Sequence, residues 1–141
     1  MNIKRSFARL ALVAVACALI SCSEEKGAHV AIVQPVDGAT VDRSFKVVMS
    51  VEGKTVHKTG ERAPDSGHFL LVVDGGYLPM GEVMISDREH LSFDQGETET
   101  TLHLYPGKHT LTLQFAKSTG QSYGHALSHS IAVNVKRWMP L

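Results

Sequence analysis

The chain has 141 residues, in which 14 lysine and arginine side chains are balanced by 14 aspartate and glutamate side chains. This balance excludes the broad basic surface by which proteins bind nucleic acids, so no nucleic-acid partner is expected. The length suits one domain with a single hydrophobic core.

The amino terminus has the pattern of an export signal. Lys4, Arg5 and Arg9 precede an uninterrupted apolar run, Leu10 to Ile20. As a helix this run would span roughly 16 Å, about half of the roughly 30 Å hydrocarbon core of a bilayer. The segment is therefore predicted to be a signal peptide rather than a membrane-spanning anchor.

Cys22 is predicted to be the site of lipidation. Leu19-Ile20-Ser21-Cys22 resembles the bacterial lipobox, in which the cysteine receives acyl chains such as palmitate and becomes the first residue of the exported chain. Cys17, the only other cysteine, would be removed with the signal peptide, so the exported chain has no intramolecular disulfide. The alternative is an ordinary signal peptide with Cys22 left as a free thiol.

These expectations divide the chain into three parts: residues 1–21 are the signal peptide, residues 22–27 the lipidated cysteine and a short tether, and residues 28–141 the folded domain. Several acyl chains would hold the protein on a bacterial membrane. The residue directly after Cys22 is Ser23, which is not acidic, and this favours the outer membrane, facing the periplasm. Removing residues 1–21 takes away three basic side chains and leaves 11 basic against 14 acidic ones. The folded domain is therefore expected to be mildly acidic.

The remaining chain alternates apolar and polar residues with a period of two, which predicts strands. In the segment His68–Val73 both the odd and the even positions are apolar, as in a strand that is covered on both faces. This segment is therefore predicted to be the central strand. No stretch shows a helical stripe, so the fold is predicted to be all-β, an antiparallel immunoglobulin-like β-sandwich of about seven or eight strands. The main candidate strands are Val30–Val33, Phe45–Val51, His68–Val73, Glu82–Ile85, Thr98–Tyr105, Leu111–Phe115 and Ile131–Val135.

One hairpin is predicted with its register. Tyr105-Pro106-Gly107-Lys108 has the composition of a type II turn, with Pro at the second position and Gly at the third. A hairpin closed there would pair Leu104 with His109 and Leu102 with Leu111. Leu111 and Leu113 would then face the core, whereas Thr110 and Thr112 would face away.

Four segments carry a family resemblance: "SGHFLLVVD" at 66–74, "GETET" at 96–100, "PGKHTLTLQFA" at 106–116 and "SYGHALSHSIAVNV" at 122–135. They resemble the bacterial family known as domain of unknown function 4399, whose members are small, exported and β-rich. The family pattern is richer in histidine than this chain, of which His68 and His109 match it. The resemblance therefore implies fold and export, and it implies that any Cu or Zn site of relatives is depleted here.

A metal site is the main chemical alternative, because the chain has eight histidines and imidazole is a common ligand of Zn and Cu. His125 and His129 would lie about 13 Å apart on a strand, and only a turn at residues 124–127 would bring them together. The candidate ligands that remain are non-local: His68, His90 and His109, each near the start of a strand.

No enzymatic activity is predicted. The sequence has no G-x-S-x-G motif. Asp65-Ser66-Gly67-His68 contains the residue types of a hydrolase triad, but neighbours in an extended chain cannot pass a proton from one to the next. The tail beginning at Trp138 is expected to cover the open end of the sandwich, although it could also dock a partner. The predicted function is a membrane-anchored, non-catalytic binding domain without a cofactor, acting on a partner in the cell envelope. The alternative is a periplasmic Cu- or Zn-handling protein.

Overall fold

The computed structural model describes residues 27–138. The predicted signal peptide, Cys22, most of the tether and residues 139–141 lie outside this range. Nine strands and one short 3₁₀ helix (Gly124–Leu127) form the described domain. The strands are β1 (His29–Gln34), β2 (Ala39–Val41), β3 (Ser44–Glu52), β4 (Thr55–Val56), β5 (Ser66–Val73), β6 (His90–Ser92), β7 (Glu99–His103), β8 (Gly107–Lys117) and β9 (Ser128–Val135).

The strands form two sheets, which confirms the all-β sandwich. One sheet has the order β1-β3-β7, and the other has the order β2-β9-β8-β5-β4, with β6 also paired to β5. Most pairs are antiparallel, but two short strands, β2 and β4, run parallel to their neighbours β9 and β5. The prediction of seven or eight strands missed these two- and three-residue elements, which are too short to show alternation. Within residues 27–138 no helix has the length and apolar character needed to cross a membrane.

The core lies between the two sheets, and the side chains that face it on β8 are those that the alternation predicted to face inward. On β8 the side chains of Leu111, Leu113 and Phe115 face inward and are completely buried. Phe115 packs edge-on against Phe69 of β5, with 5.3 Å between the ring centroids. Burying each such side chain contributes about 1.5–3 kcal/mol relative to leaving it in water, so this inward row supplies much of the stability of the domain.

Strand β5 is central, as predicted, and all eight of its residues are buried. Its outer face is covered by the outer loop, residues 75–85, of which Met84 and Leu78 pack on Leu70 and Val72. The buried side chain of Gln114 holds this loop in place. Its amide accepts a hydrogen bond from the Leu78 N–H (2.6 Å) and donates one to the Leu78 carbonyl (3.0 Å).

The predicted hairpin at residues 105–108 is wrong. Strand β7 pairs with β3 in the three-stranded sheet, where Leu102 lies opposite Phe45. Strand β8 belongs to the other sheet, where Leu111 lies between Val73 and Ile131. Residues 104–106 therefore carry the chain from one sheet to the other. Proline and glycine, together with inward-facing leucines on both strands, suit such a crossover as well as they suit a hairpin.

The predicted strand Glu82–Ile85 is also absent from the described residues. Only an isolated bridge between Val83 and Gln121 forms there. Met84 alone is buried, whereas Val83 and Ile85 are exposed. The apolar residues of this segment reflect its position over the outer face of β5, where a loop needs only one or two side chains to cover apolar surface.

Candidate functional site

The domain has two ends that differ in chemistry. At the proximal end the described chain begins at Gly27, and Ala28 lies against Gly53, close to the start of β5 and the end of β8. At the distal end lie the start of β8, the end of β9 and the loop between β7 and β8. Strand β8 runs between the ends with 11 residues, so they are roughly 35 Å apart.

The distal end carries three adjoining hollows. The largest encloses about 640 Å³ and is lined by Arg43, Ser44, Arg88, His103, Leu104 and Tyr105. The second shares Arg43 and Ser44 with it and adds Asp42, Lys136, Arg137 and Trp138. The third shares Lys136 and Arg137 and adds Thr40, Gly107, Lys108, Asn134 and Val135. Because neighbouring hollows share residues, they form one continuous band across this end, which we call the distal band.

Cationic side chains outnumber anionic ones in the lining of the distal band. It includes one carboxylate, Asp42, whose Oδ1 lies 3.1 Å from the ammonium of Lys136. Within residues 27–138 no carboxylate forms an ion pair with the other four lining cations, which are Arg43, Arg88, Lys108 and Arg137. The band therefore presents several positive charges to solvent, although the domain as a whole is mildly acidic.

Three further carboxylates lie near the band. Asp74 and Asp87 each hydrogen-bond a histidine and a backbone N–H, so part of their charge is already compensated. Glu89 is exposed beside Arg88. These acids reduce the net positive charge of the distal end, but none of them lines the hollows.

Two large aromatic side chains stand beside these cations in water. Tyr105 is 79% exposed and Trp138 is 76% exposed. Tyr105 lines the first hollow and Trp138 the second. Of the tail that was expected to cover the open end of the sandwich, only Trp138 is described, and its indole does not cover that end because it is largely exposed. Residues 139–141 of the tail lie outside the described residues.

His109 fixes the crossover that shapes the distal end. Its Nδ1 lies 2.7 Å from the Asp74 carboxylate and its Nε2 lies 2.8 Å from the Tyr105 carbonyl. An ionised carboxylate and a carbonyl can only accept hydrogen bonds, so the ring donates from both nitrogens, which requires the doubly protonated imidazolium. Burial of the ring lowers its pKa, but the hydrogen bonds to Asp74 and Tyr105 and the charge of Asp74 outweigh burial and raise the pKa above its ordinary value.

His68 lies at the proximal end, on the outer face of β5, and is 1% exposed. Its Nδ1 is 3.3 Å from the Thr59 hydroxyl and its Nε2 is 3.4 Å from the Asp94 carboxylate. Burial lowers the pKa of His68, and this effect exceeds the opposing influence of Asp94 and Glu97. The ring is therefore held in its neutral form, which suits a packed structural histidine.

The structure does not bring His68, His90 and His109 together. His90 lies opposite Val72, four residues along β5 from His68, or about 13 Å. Each imidazole contacts a different carboxylate: Asp94 for His68, Asp87 for His90 and Asp74 for His109. Within residues 27–138 no group of three or more His, Cys, Asp or Glu side chains has the geometry to hold a metal ion.

The turn that would bring His125 and His129 together does form, as the 3₁₀ helix Gly124–Leu127. The two rings nevertheless have separate contacts. His125 packs on the ring of Tyr77, with 4.5 Å between centroids, and Nδ1 of His129 accepts the backbone N–H of Ile32 at 2.9 Å. His129 thus joins the two sheets.

Sequence reasoning selected His109 only as a metal ligand, not as the partner of Asp74 and Tyr105, and it missed the distal band. Arg43 and Arg88 are isolated cations in the sequence, 45 positions apart, and only the sheet topology places them in one hollow. The adjacent pair Lys136-Arg137 before Trp138 was the one local signal that could have pointed to this end.

A comparison with protein families identifies the family of the chain. A family model described as a domain of unknown function, DUF4399, matches residues 47–136. The match runs from within β3 to the residue after β9, and so covers more than half of the chain. A search of curated proteins returned no match. The chain therefore belongs to the DUF4399 family.

Proposed function

We propose that the protein is a lipid-anchored, non-catalytic binding module of the bacterial cell envelope, and that its distal band binds the partner. The observation that carries this proposal is the concentration of exposed cations and aromatic rings at the end of the sandwich opposite Gly27. Arginine, tyrosine and tryptophan, which all line the band, are enriched among the few residues that supply most of the energy at binding surfaces.

The predicted anchor gives this arrangement a direction. A lipid on Cys22 and a tether of residues 23–27, which reaches at most about 18 Å, would keep the proximal end near the membrane. The distal band, roughly 35 Å further along the domain, would then face away from the bilayer. With Ser23 after the cysteine, the favoured location is the outer membrane, facing the periplasm.

The contacts of the histidines favour binding over metal handling. A Cu or Zn ion at His68, His90 and His109 would require each ring to leave its carboxylate and the strands to rearrange. For His109 the raised pKa adds a further cost, because a ring that ligates a metal must first lose a proton.

The anchor is tested by intact-mass analysis of the membrane fraction. We expect the wild-type chain to begin at Cys22 and to carry acyl mass, and the Cys22→Ser variant to be unacylated and lost from the membrane. A chain that begins at another residue, or that lacks acyl mass, would contradict the anchor.

The binding function is tested by chemical crosslinking in intact cells followed by purification. We expect wild type to retain envelope material that the double variant Arg43→Gln/Arg137→Gln does not retain. The matched control is Lys58→Gln/Arg62→Gln, which removes two exposed cations at the proximal end. Equal retention by all three chains would show that the distal band is not the binding surface.

A further inference from the structure

We propose that the ligand of the distal band is an acidic glycan, a polymer of sugar rings that carries carboxylates. This inference rests on the proposed function, because it names the ligand class for the same surface. It follows from three properties of the band: the spacing of its cations, its exposed aromatic rings and its uncharged polar lining.

The distribution of the cations over three hollows favours an extended anionic ligand. Arg43 and Arg88 line the first hollow, Arg137 the second and third, and Lys108 the third. A guanidinium binds a carboxylate through two parallel hydrogen bonds, so each arginine can hold one acidic group of a ligand. A single small anion would reach only one hollow, whereas a polymer with repeated carboxylates can reach all of them and gain from multivalent binding.

The aromatic rings distinguish a glycan from other polyanions. Tyr105 and Trp138 expose most of their surface beside the cations, at the cost of leaving apolar rings in water. The C–H face of a sugar ring is apolar enough to pack on an aromatic face, while its hydroxyls stay available for hydrogen bonds. A polyanion without rings, such as a polypeptide of acidic residues, would neutralise the arginines but leave both aromatic side chains uncovered.

The uncharged lining suits hydroxyl groups. Thr40, Ser44 and Asn134 line the same hollows, and their side chains can both donate and accept hydrogen bonds. The hydroxyls of a sugar have the same double capacity. Charge, ring packing and hydroxyl pairing thus converge on one ligand class.

Trp138 provides the test, since it is the only tryptophan of the chain. The mature full-length protein, purified in detergent, is titrated at low salt while the tryptophan emission is recorded. Three polymers are compared: polygalacturonate, which has carboxylates on sugar rings; polyglutamate, which has carboxylates without sugar rings; and dextran, which has sugar rings without charge. We expect polygalacturonate to shift the emission and to bind at least tenfold more tightly than polyglutamate, and dextran to have no effect.

Variants assign the signal to the band. Arg43→Gln/Arg137→Gln should weaken polygalacturonate binding at least tenfold, whereas the proximal control Lys58→Gln/Arg62→Gln should leave it unchanged. By sedimentation, which needs no tryptophan, Trp138→Leu should weaken binding of polygalacturonate but not of polyglutamate.

Two outcomes would overturn the glycan inference. Equal affinity for polygalacturonate and polyglutamate would show that the distal band recognises negative charge but not sugar rings. Absence of polygalacturonate binding, in a protein whose arginines still determine crosslinking in cells, would show that the partner is of another class, such as a protein. Either result leaves the proposed binding function standing, and that function fails only if crosslinking is independent of the distal band.

Discussion

Replacing His109 with glutamine tests the imidazolium at the crossover. Glutamine is neutral and has one donor group, so it cannot reproduce two hydrogen bonds donated in opposite directions to Asp74 and Tyr105. Hydrogen bonds to charged groups contribute about 1.5–3 kcal/mol each. The Asp74 side chain is 43% exposed, so water can replace part of what is lost. We therefore expect the free energy of unfolding to fall by about 1–2 kcal/mol at pH 6.

The cost should depend on pH in a defined direction. The pKa of His109 is higher in the folded chain than in the unfolded chain, so its protonation stabilises the fold fully below about pH 6.5. This contribution is lost as the pH rises through the folded-state pKa. The difference in unfolding free energy between wild type and His109→Gln should therefore be larger at pH 6 than at pH 9.

Urea unfolding of both chains at the two pH values measures this difference, and other titrating groups largely cancel in the comparison. An NMR titration of the His109 ring should also place its pKa above 6.5. A cost that is equal at both pH values, or that grows as the pH rises, would refute the doubly donating imidazolium. His103→Gln, a change of an exposed histidine near the same crossover, serves as the matched control and should cost under about 0.5 kcal/mol at pH 6.

Three further substitutions test the packing around β5. Gln114→Leu should cost about 2–5 kcal/mol in urea unfolding, because it leaves the partly buried Leu78 N–H without its acceptor and removes one of the two donors to the Leu78 carbonyl, the other being the Ser122 hydroxyl. Gly67→Ala should cost more than about 4 kcal/mol or prevent folding, since its Cβ would lie 1.9 Å from the carbonyl oxygen of Ala116 on the neighbouring strand. His68→Gln should be less stable than wild type by an amount that shrinks between pH 7 and pH 5. Burial lowers the pKa of His68 in the folded chain, so as the pH falls its imidazole takes up a proton in the unfolded chain first. This stabilises the unfolded state of wild type but not that of the variant, which lacks the imidazole.

Each of these substitutions has a control and a result that would contradict it. Gln121→Leu changes an exposed glutamine and should cost under about 0.5 kcal/mol; an equal cost at position 114 would mean that the outer loop does not depend on the buried amide. Gly76→Ala meets no atom within 4 Å and should be tolerated, so similar losses at positions 67 and 76 would contradict the close approach of β5 and β8. For His68, a stability difference that stays constant or widens as the pH falls would contradict a ring held neutral by burial.

The sequence predicted the parts of the fold that depend on local pattern. That Leu111, Leu113 and Phe115 face the core follows from the alternation alone. That both faces of β5 are buried follows from its unbroken apolar run. Alternation does not encode which strands pair. Residues 104–109 satisfy a hairpin and a crossover equally well, and only the competition among all strands for two sheets decides between them.

The candidate site could be predicted only in part, for a related reason. His109 was predicted to be a metal ligand with His68 and His90, because each lies near the start of a strand. Its hydrogen bond to Asp74 could not be predicted, because Asp74 is 35 positions away in the sequence. The arginines of the distal band are further apart still and carry no motif. Residues that meet only through topology leave no periodic signal in a single sequence.

The most direct test of the central claim is site-specific photo-crosslinking in intact cells, with a photoreactive amino acid placed at one position at a time. Tyr105 represents the distal band, Lys58 the proximal end and Ile85 the exposed part of the outer loop. A binding module that uses its distal band predicts crosslinks to envelope material from position 105 that disappear in the Arg43→Gln/Arg137→Gln background, with little crosslinking from position 58. Crosslinks that arise from position 58 or 85 and not from position 105 would contradict the account and move the binding surface elsewhere on the sandwich.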